Sequence, residues 1–338
     1  MARKPRLRHS GSVTLNEVAQ ALGVSAITVS RALHKPQLVS EDLRGRILET
    51  VDRLGYVPNR SARQLASARS NTILVLIPSL TNTVFIDTLA GIEDALKGSE
   101  YQMLIGNSHY NADEELRLLR MYLEHKPDGI LVAGVSQPPE FRAQVERFRI
   151  PVVHMMDFAE GGVSVGFSQE DAGRTLTEHL IVRGYKRIAY MAAQLDERVM
   201  RRGEGYREAL LAAGLYDPQL EFLDPAPSSM NKGAEMLDRI LAERRDCDAI
   251  FCCNDDLAIG AIARCQRRGI AVPKQIAIAG FNDLQPAAWT TPTLTSIATP
   301  RFEIGLTAAR LLLELIAGKR PENPHHDLGF ELRARQST

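Results

Sequence analysis

Little in this chain of 338 residues is reactive: it has four cysteines, one tryptophan and an aromatic content of only 6%. Cys247, Cys252, Cys253 and Cys265 fall at no metal-ligand spacing. The adjacent Cys252 and Cys253 must face opposite sides of a strand. All four are therefore expected as small core residues of a reduced, cytoplasmic protein. No apolar run is long enough to cross a bilayer, which argues against a membrane partner. Catalytic signatures are missing as well: no G-x-S-x-G elbow, no phosphate-cradling glycine loop and no paired histidines at ligand spacing. His325–His326 reads as a surface dipeptide and His154 as a core or pocket residue within a strand. Asp255 and Asp256 follow Asn254 where a strand hands over to a helix, a place at which Asn and Asp serve as caps. Neither catalysis nor a metal or organic cofactor is expected. The 41 basic and 41 acidic residues cancel, and a neutral chain by itself speaks against nucleic acid.

That neutrality is an average of unlike parts. Residues 1–72 carry 12 Lys/Arg against 5 Asp/Glu, a net of +7, so the remainder carries −7. A basic head on an acidic body is the charge pattern of a DNA-binding module fused to something else. Residues 1–11 are too polar for a signal peptide and read as a disordered basic arm.

Residues 14–33, TLNEVAQALGVSAITVSRAL, carry the sharpest signal. Thr14 and Glu17 form a T-x-x-E capping box at a helix start. Leu15, Val18, Ala19 and Leu22 then recur at helical spacing. Gly23 suits the left-handed geometry that ends a helix, and Ser25 is placed to cap a second one. On that second helix Val29, Ala32 and Leu33 face inward, while Ala26, Ile27, Thr28, Ser30 and Arg31 face mostly outward. Two short helices joined by a glycine turn predict a helix-turn-helix whose second helix enters the major groove. Ser40 is expected to cap a third helix over 41–54, whose Leu43, Ile47, Leu48, Val51 and Leu54 close a small core. Residues 60–67 then offer about two helical turns, marginal in isolation, with Ala62 and Leu65 on one face. Such a segment can fold against a minor groove and wedge an apolar side chain into a base step, or serve as a plain charged linker.

From Thr72 on, apolar runs alternate with amphipathic stretches. TILVLIPSL, YQMLIG, GILVAGV, PVVHMMD, RIAYMAA, DAIFCCN and IAIAG read as strands buried on both faces of parallel sheets. Helices are expected over 88–96, 114–124, 174–183, 207–213, 236–244 and 256–268. Alternation of this kind predicts doubly wound sheets with ligands at the carboxyl ends of the strands.

The first 60 or so residues resemble the LacI family of bacterial transcription regulators closely, through TLNEVAQALGVSAITVSRAL, Val39–Ser40, LGYVPN and the AR-x-L of Ala62 to Leu65. The resemblance implies base reading by Ala26, Ile27 and Arg31. Ala26 and Ile27 depart from the commonest pattern: being apolar they can meet only thymine methyls, leaving Arg31 to read a guanine. Thr28, Ser30 and Asn59 fit better as phosphate-positioning donors, and Thr14 and Ser25 are counted with them among the DNA-binding residues. Ala62 and Leu65 look like the hinge pair, with Leu65 as the lever. The body is similar to the family's effector-binding core, itself related to periplasmic sugar-binding proteins. The implied organisation is a helix-turn-helix headpiece over 12–58, a hinge over 59–71, and an α/β core over 73–338. The core would hold two doubly wound parallel-sheet subdomains, one from 73–162 with 296–322, the other from 163–295 with 323–335. Carried over one at a time, the effector positions are Ser79, Asp157, Arg202, Asn254, Asp255 and Asn282. Asn282 departs from the Asp common among sugar binders. Arg202 offers a planar fork suited to a carboxylate, while a phosphate would call on Arg198, Arg201 and Arg301 as helpers. The lone Trp289 falls where no pyranose would stack.

Within the family, IPSLTNTVF, VGFSQEDAGR, LDERVMRRGEGY, CNDDLAIGA and IAIAGF resemble the gluconate-operon repressors. A homodimer on palindromic operator DNA, released by gluconate as its small-molecule effector, is the implied function. 6-Phosphogluconate and 2-ketogluconate are the near competitors, and a sugar or purine effector is the alternative. A solute-binding protein on the same core would carry an export signal and no DNA head. The C-terminal stretch lacks the leucine heptads of an added tetramerisation helix.

Overall fold

The structure, a computed structural model, describes residues 13–57 and 69–338. The chain divides after Arg69 into two compact units.

In the first unit, helices α1 (Leu15–Leu22), α2 (Ala26–His34) and α3 (Glu41–Leu54) enclose Val18, Ala19, Val29, Ala32, Ile47 and Val51. The capping box forms as expected. The Thr14 backbone N–H donates to Glu17 Oε2 at 2.6 Å, and the Glu17 N–H donates back to Thr14 Oγ1 at 3.4 Å. Gly23 ends α1 at φ 64°, a left-handed conformation in which any side chain would be strained. Ser40 precedes α3 as expected but makes no side-chain cap bond.

The second unit holds two six-stranded sheets. The first contains β1 (Thr72–Ile77), β2 (Gln102–Asn107), β3 (Gly129–Ala133), β4 (Val152–Met155), β5 (Val163–Gly166) and β11 (His325–Asp327), in the order β11-β5-β4-β3-β1-β2. The second contains β6 (Ile188–Ala193), β7 (Glu221–Asp224), β8 (Ala249–Cys252), β9 (Ala277–Asn282), β10 (Thr295–Ala298) and β12 (Glu331–Arg333), in the order β12-β10-β9-β8-β6-β7. Every pairing is parallel except that of β10 with β12. Central strands are apolar on both faces because helices cover both: Ile73 to Ile77 of β1 are all fully buried. The four cysteines are free and buried, and desolvation raises their thiols well clear of reactivity.

Strand pairing corrects the subdomain boundaries. β5, expected in the second subdomain, pairs with β4 through Val153 and Val163. β10, expected mostly in the first, pairs with β9. The tail expected whole in the second subdomain is shared, β11 adding to β5 and β12 to β10. The chain therefore crosses between sheets after Gly166, after Ala298 and between Asp327 and Glu331. Composition changes little at these points; which neighbour offers an open sheet edge decides where a short strand goes.

Apart from α5 (Ala112–Leu123) and α6 (Pro139–Phe148), helices α4 (Thr83–Leu96), α7 (Gln169–Val182), α8 (Glu197–Ala212), α9 (Met230–Glu243), α10 (Asp255–Arg268) and α11 (Arg301–Ile316) pack in pairs with glycines at the crossings. A Cβ on Gly91 of α4 would strike the Phe302 carbonyl of α11, and one on Gly305 of α11 the Thr88 carbonyl of α4. Gly233 of α9 and Gly260 of α10 meet Leu257 and Met230 in the same reciprocal way. On α7 and α8, Gly173 lies against the Arg202 backbone and Gly205 against the Glu170 carbonyl. Each obstacle is backbone, which cannot rotate aside. Gly205→Ala should therefore destabilise the protein by about 1–3 kcal/mol or more, as overpacked sites do. A drop in the urea midpoint at unchanged slope measures it, and an unshifted midpoint would refute the tight crossing.

Candidate DNA-reading surface and ligand cleft

In the head, the start of α2 is fixed by its own hydroxyls. Ser25 Oγ accepts the Thr28 N–H at 3.1 Å and bonds Thr28 Oγ1 at 2.8 Å. Ile27 is 65% exposed and Arg31 is exposed, so an apolar and a guanidinium group stand together on the outer face. Ala26 is half-buried and packs against the head core, which removes most of its reach as a base reader. The half-buried Ser30 gives its carbonyl to His34 Nδ1 at 2.9 Å. Thr14 is exposed and committed to the capping box. Asn59, Ala62 and Leu65 lie outside the described residues.

In the second unit, a cavity of about 320 Å³ opens where the loops after β1, β2, β6, β8 and β9 converge. That is the carboxyl end of both sheets, where doubly wound folds bind ligands. Ser79, Arg202, Asn254 and Asn282 line it, as expected. Ser79 Oγ accepts the backbone N–H groups of Thr81 and Asn82 at 3.2 and 3.1 Å, shaping the loop that leads into α4. Asn254 caps α10 through Leu257 N–H at 3.0 Å and donates to Ser228 Oγ at 2.8 Å. Asn282 adopts φ 105°, with its carbonyl accepting from Arg301.

Arg202 is 7% exposed. Its Nε donates to Gln169 Oε1 at 2.8 Å and its Nη1 to the Cys253 carbonyl at 2.7 Å, while the guanidinium lies 3.8 Å from the Phe281 ring centre. No carboxylate pairs with it among the described residues, and burial lowers its affinity for its proton. The other two cleft arginines are paired: Arg198 Nη2 with Asp196 Oδ2 at 2.9 Å, and Arg301 Nε with Asp87 Oδ2 at 2.9 Å. Burial works to raise the Asp196 carboxyl, but Arg198 outweighs it and holds the group below its ordinary value.

Two expected effector residues stand elsewhere. Asp255 is fully buried, its carboxylate taken by Ser296 Oγ at 2.7 Å and the Leu284 N–H at 2.6 Å; its neighbour Asp256 reaches the cleft instead. A helix turns by roughly 100° per residue, so only one of two adjacent acids can face the ligand. Asp157 lines an adjoining chamber and is held by Arg201 Nη1 at 2.8 Å, which commits that helper arginine. Asn82, Tyr110, Gln169 and Asp196 line the cleft without having been foreseen. Asn82 and Asp196 each cap a helix directly after a strand, the one sequence signal that pointed to them.

The model for bacterial regulatory proteins of the lacI family matches residues 14–59, and that for a periplasmic binding protein-like domain matches residues 177–338. The HTH-type transcriptional regulator GntR of Pseudomonas aeruginosa is 49% identical over 98% of this chain and 97% of its own. GntR of Escherichia coli K12 is 39% identical over 94% of this chain and 96% of its own. The crystal structure of transcription regulator GntR from Chromobacterium violaceum is 61% identical, with a TM-score of 0.78 over 79% of this chain and 98% of that one. A helix-turn-helix head followed by a two-sheet unit with a polar cleft defines a DNA-binding transcriptional regulator. The chain belongs to the LacI family. No helix among the described residues is long and apolar enough to cross a membrane.

Burial pushes the Asp255 carboxyl from its ordinary 3.8 up to about 7, against hydrogen bonds from Ser296 and Leu284 that favour its charge. The folded chain therefore holds a proton that the unfolded chain releases, and this group's contribution to stability falls as pH rises from about 4 to about 7. Asp255→Asn should flatten that part of the stability curve in urea titrations across the range. An unchanged slope would place the proton elsewhere.

Proposed function

We propose that this protein is a homodimeric repressor of gluconate-catabolism genes that leaves a palindromic operator when gluconate fills the cleft. The observation that carries the ligand is Arg202. An unpaired buried guanidinium is expensive, and the expense is offset when a ligand brings the carboxylate. Its Nη2 makes no bond within the protein among the described residues, leaving one arm of the fork for such a group. Arg198 and Arg301 are already neutralised by carboxylates of the chain. The uncompensated charge thus matches a single carboxylate better than a carboxylate plus a phosphate. Ser79, Asn254 and Asn282 supply hydroxyl partners.

Two recognition helices related by a twofold axis would meet matched half-sites, with Arg31 reading guanine and Ile27 a thymine methyl. Ligand in the cleft would favour a relative arrangement of the two sheets that does not support DNA binding. A useful switch requires the two states to differ in ligand affinity by several kcal/mol.

Calorimetric titration with gluconate, 6-phosphogluconate, 2-ketogluconate, glucose and hypoxanthine tests the ligand. Gluconate should bind tightest; preferential binding of glucose or hypoxanthine would discard it. Arg202→Ala should weaken gluconate by roughly 10–150-fold, the worth of a hydrogen bond to a charged group, and leave operator affinity unchanged. Full inducibility in that variant would remove its role. Leu65→Ala, in the proposed hinge, should weaken operator binding at fixed salt and spare gluconate affinity. Equal operator affinity would dismiss the lever.

A further inference from the structure

Beside the ligand cleft lies a chamber of about 110 Å³, sharing with it the walls formed by Pro78, Tyr110, Asp196 and Arg198. Four of its wall residues are nearly inaccessible: Ser108 and Asp157 at 2%, Gln137 at 7% and Glu115 at 8% exposure. Two of them are half-used. Asp157 Oδ1 accepts the Phe158 N–H at 2.9 Å and Arg201 Nη1 at 2.8 Å, while Oδ2 has no partner. Gln137 Nε2 donates to the Gly134 carbonyl at 3.4 Å, while Oε1 has no partner. Native proteins rarely leave buried polar atoms unpaired, and each such atom costs free energy until a partner arrives.

Both unpaired atoms are acceptors, so what fills the chamber must donate. A carboxylate cannot. A metal ion does not fit, because no three acidic, histidine or cysteine side chains among the described residues come together to hold one. An ammonium group would face Arg198 in the chamber wall and Arg201 on Asp157. Hydroxyl groups satisfy every condition, and about 110 Å³ admits a hydroxymethyl end with ordered water beside it. Glu115, pushed up to about 7 by burial against hydrogen bonds from Gln137 and Ser108 that favour its charge, adds a carboxyl that can donate or accept near neutral pH.

Arg202 lines the cleft and not the chamber, and the two spaces share Pro78, Tyr110, Asp196 and Arg198, so a ligand anchored at Arg202 by its carboxylate has the chamber within the same connected space for its other end. We propose that the chamber is the specificity site for the ligand's terminal hydroxyl, read by Gln137 and Asp157 with Glu115 beside them. This rests on the gluconate reading. It assigns Gln137 and Glu115 a role in deciding which sugar acids the protein answers to.

The test is calorimetry on the full chain with gluconate and with 6-deoxygluconate, which lacks only that hydroxyl. The wild-type protein should bind the deoxy acid about tenfold more weakly, and Gln137→Leu should shrink the gap to about twofold or less. The gap within one variant cancels any general loss of fold quality. Glu115→Gln, which keeps the side-chain shape, carries the same expectation of a narrowed gap and serves if Gln137→Leu does not fold. Gluconate bound normally with no gap in the wild type, or an undiminished gap in the variants, leaves the chamber to water and overturns this assignment alone. No gluconate binding by the wild type overturns the ligand reading and the assignment together.

Discussion

The position of one guanidinium depends on the absence of two methyl groups. At Gly173 and Gly205 the backbones of α7 and α8 touch, and the atoms in contact at Gly173 belong to Arg202 itself. The same approach lets Gln169, at the start of α7, reach Arg202 Nε at 2.8 Å. Wider helix spacing would move the cation away from both Gln169 and the Cys253 carbonyl, and from the face of Phe281. Packing and recognition are here one constraint: the helix crossing that closes the core also aims the side chain. An arginine so held has lost its rotamer freedom before any ligand arrives, which is what preorganisation means in free-energy terms.

Around that fixed point the cleft is made of contacts that tie the two sheets together. Arg201 of α8 pairs with Asp157, which follows β4 of the first sheet. Arg198 lies 5.4 Å from the Phe85 ring centre on α4. Arg301, which opens α11, holds Asp87 with one nitrogen and the Asn282 carbonyl of β9 with another. A ligand alters the balance between arrangements only through contacts that differ between them. These bridges are the contacts a ligand touching Arg198 or Arg301 would compete with or reinforce.

Where the chain was legible, periodicity and capping coincided. The head is the clearest case: T-x-x-E, a glycine, then Ser25 fixed three helix ends within a residue or so. The sheets were legible too, because strands buried on both faces form continuous apolar runs. Four core helices were expected to start too late, at 88, 174, 207 and 236, whereas they begin at Thr83, Gln169, Glu197 and Met230. On α7 the first turn is polar and Gln169 borders the cleft, so apolar periodicity sets in only deeper in the fold, whereas α4 opens on the apolar Val84, Phe85 and Ile86. The same polarity hid Asn82, Gln169 and Asp196 as site residues. Asp255 misled for the opposite reason: an acid after a strand suggests a ligand contact, while its partners, Leu284 and Ser296, are 29 and 41 residues away and unreadable from local sequence. The subdomain boundaries failed on strands of three or four residues, whose sheet is chosen by which edge is open.

The three chain crossings also set an order of assembly. Apart from the edge strand β12, the second sheet is drawn from one continuous stretch between β6 and β10. The first sheet lacks α11 and β11 until residues 301–327 have been made, and β11 pairs with a strand some 160 positions earlier, His325 opposite Ser164. Pairings so distant in sequence close slowly. During synthesis strands β6 to β10 of the later-encoded half are therefore all present before the earlier half gains α11, with β12 joining their sheet last. The earlier half waits with the surface meant for α11 uncovered, and its strands β1 to β5 are the part of this regulator most in need of protection on the ribosome.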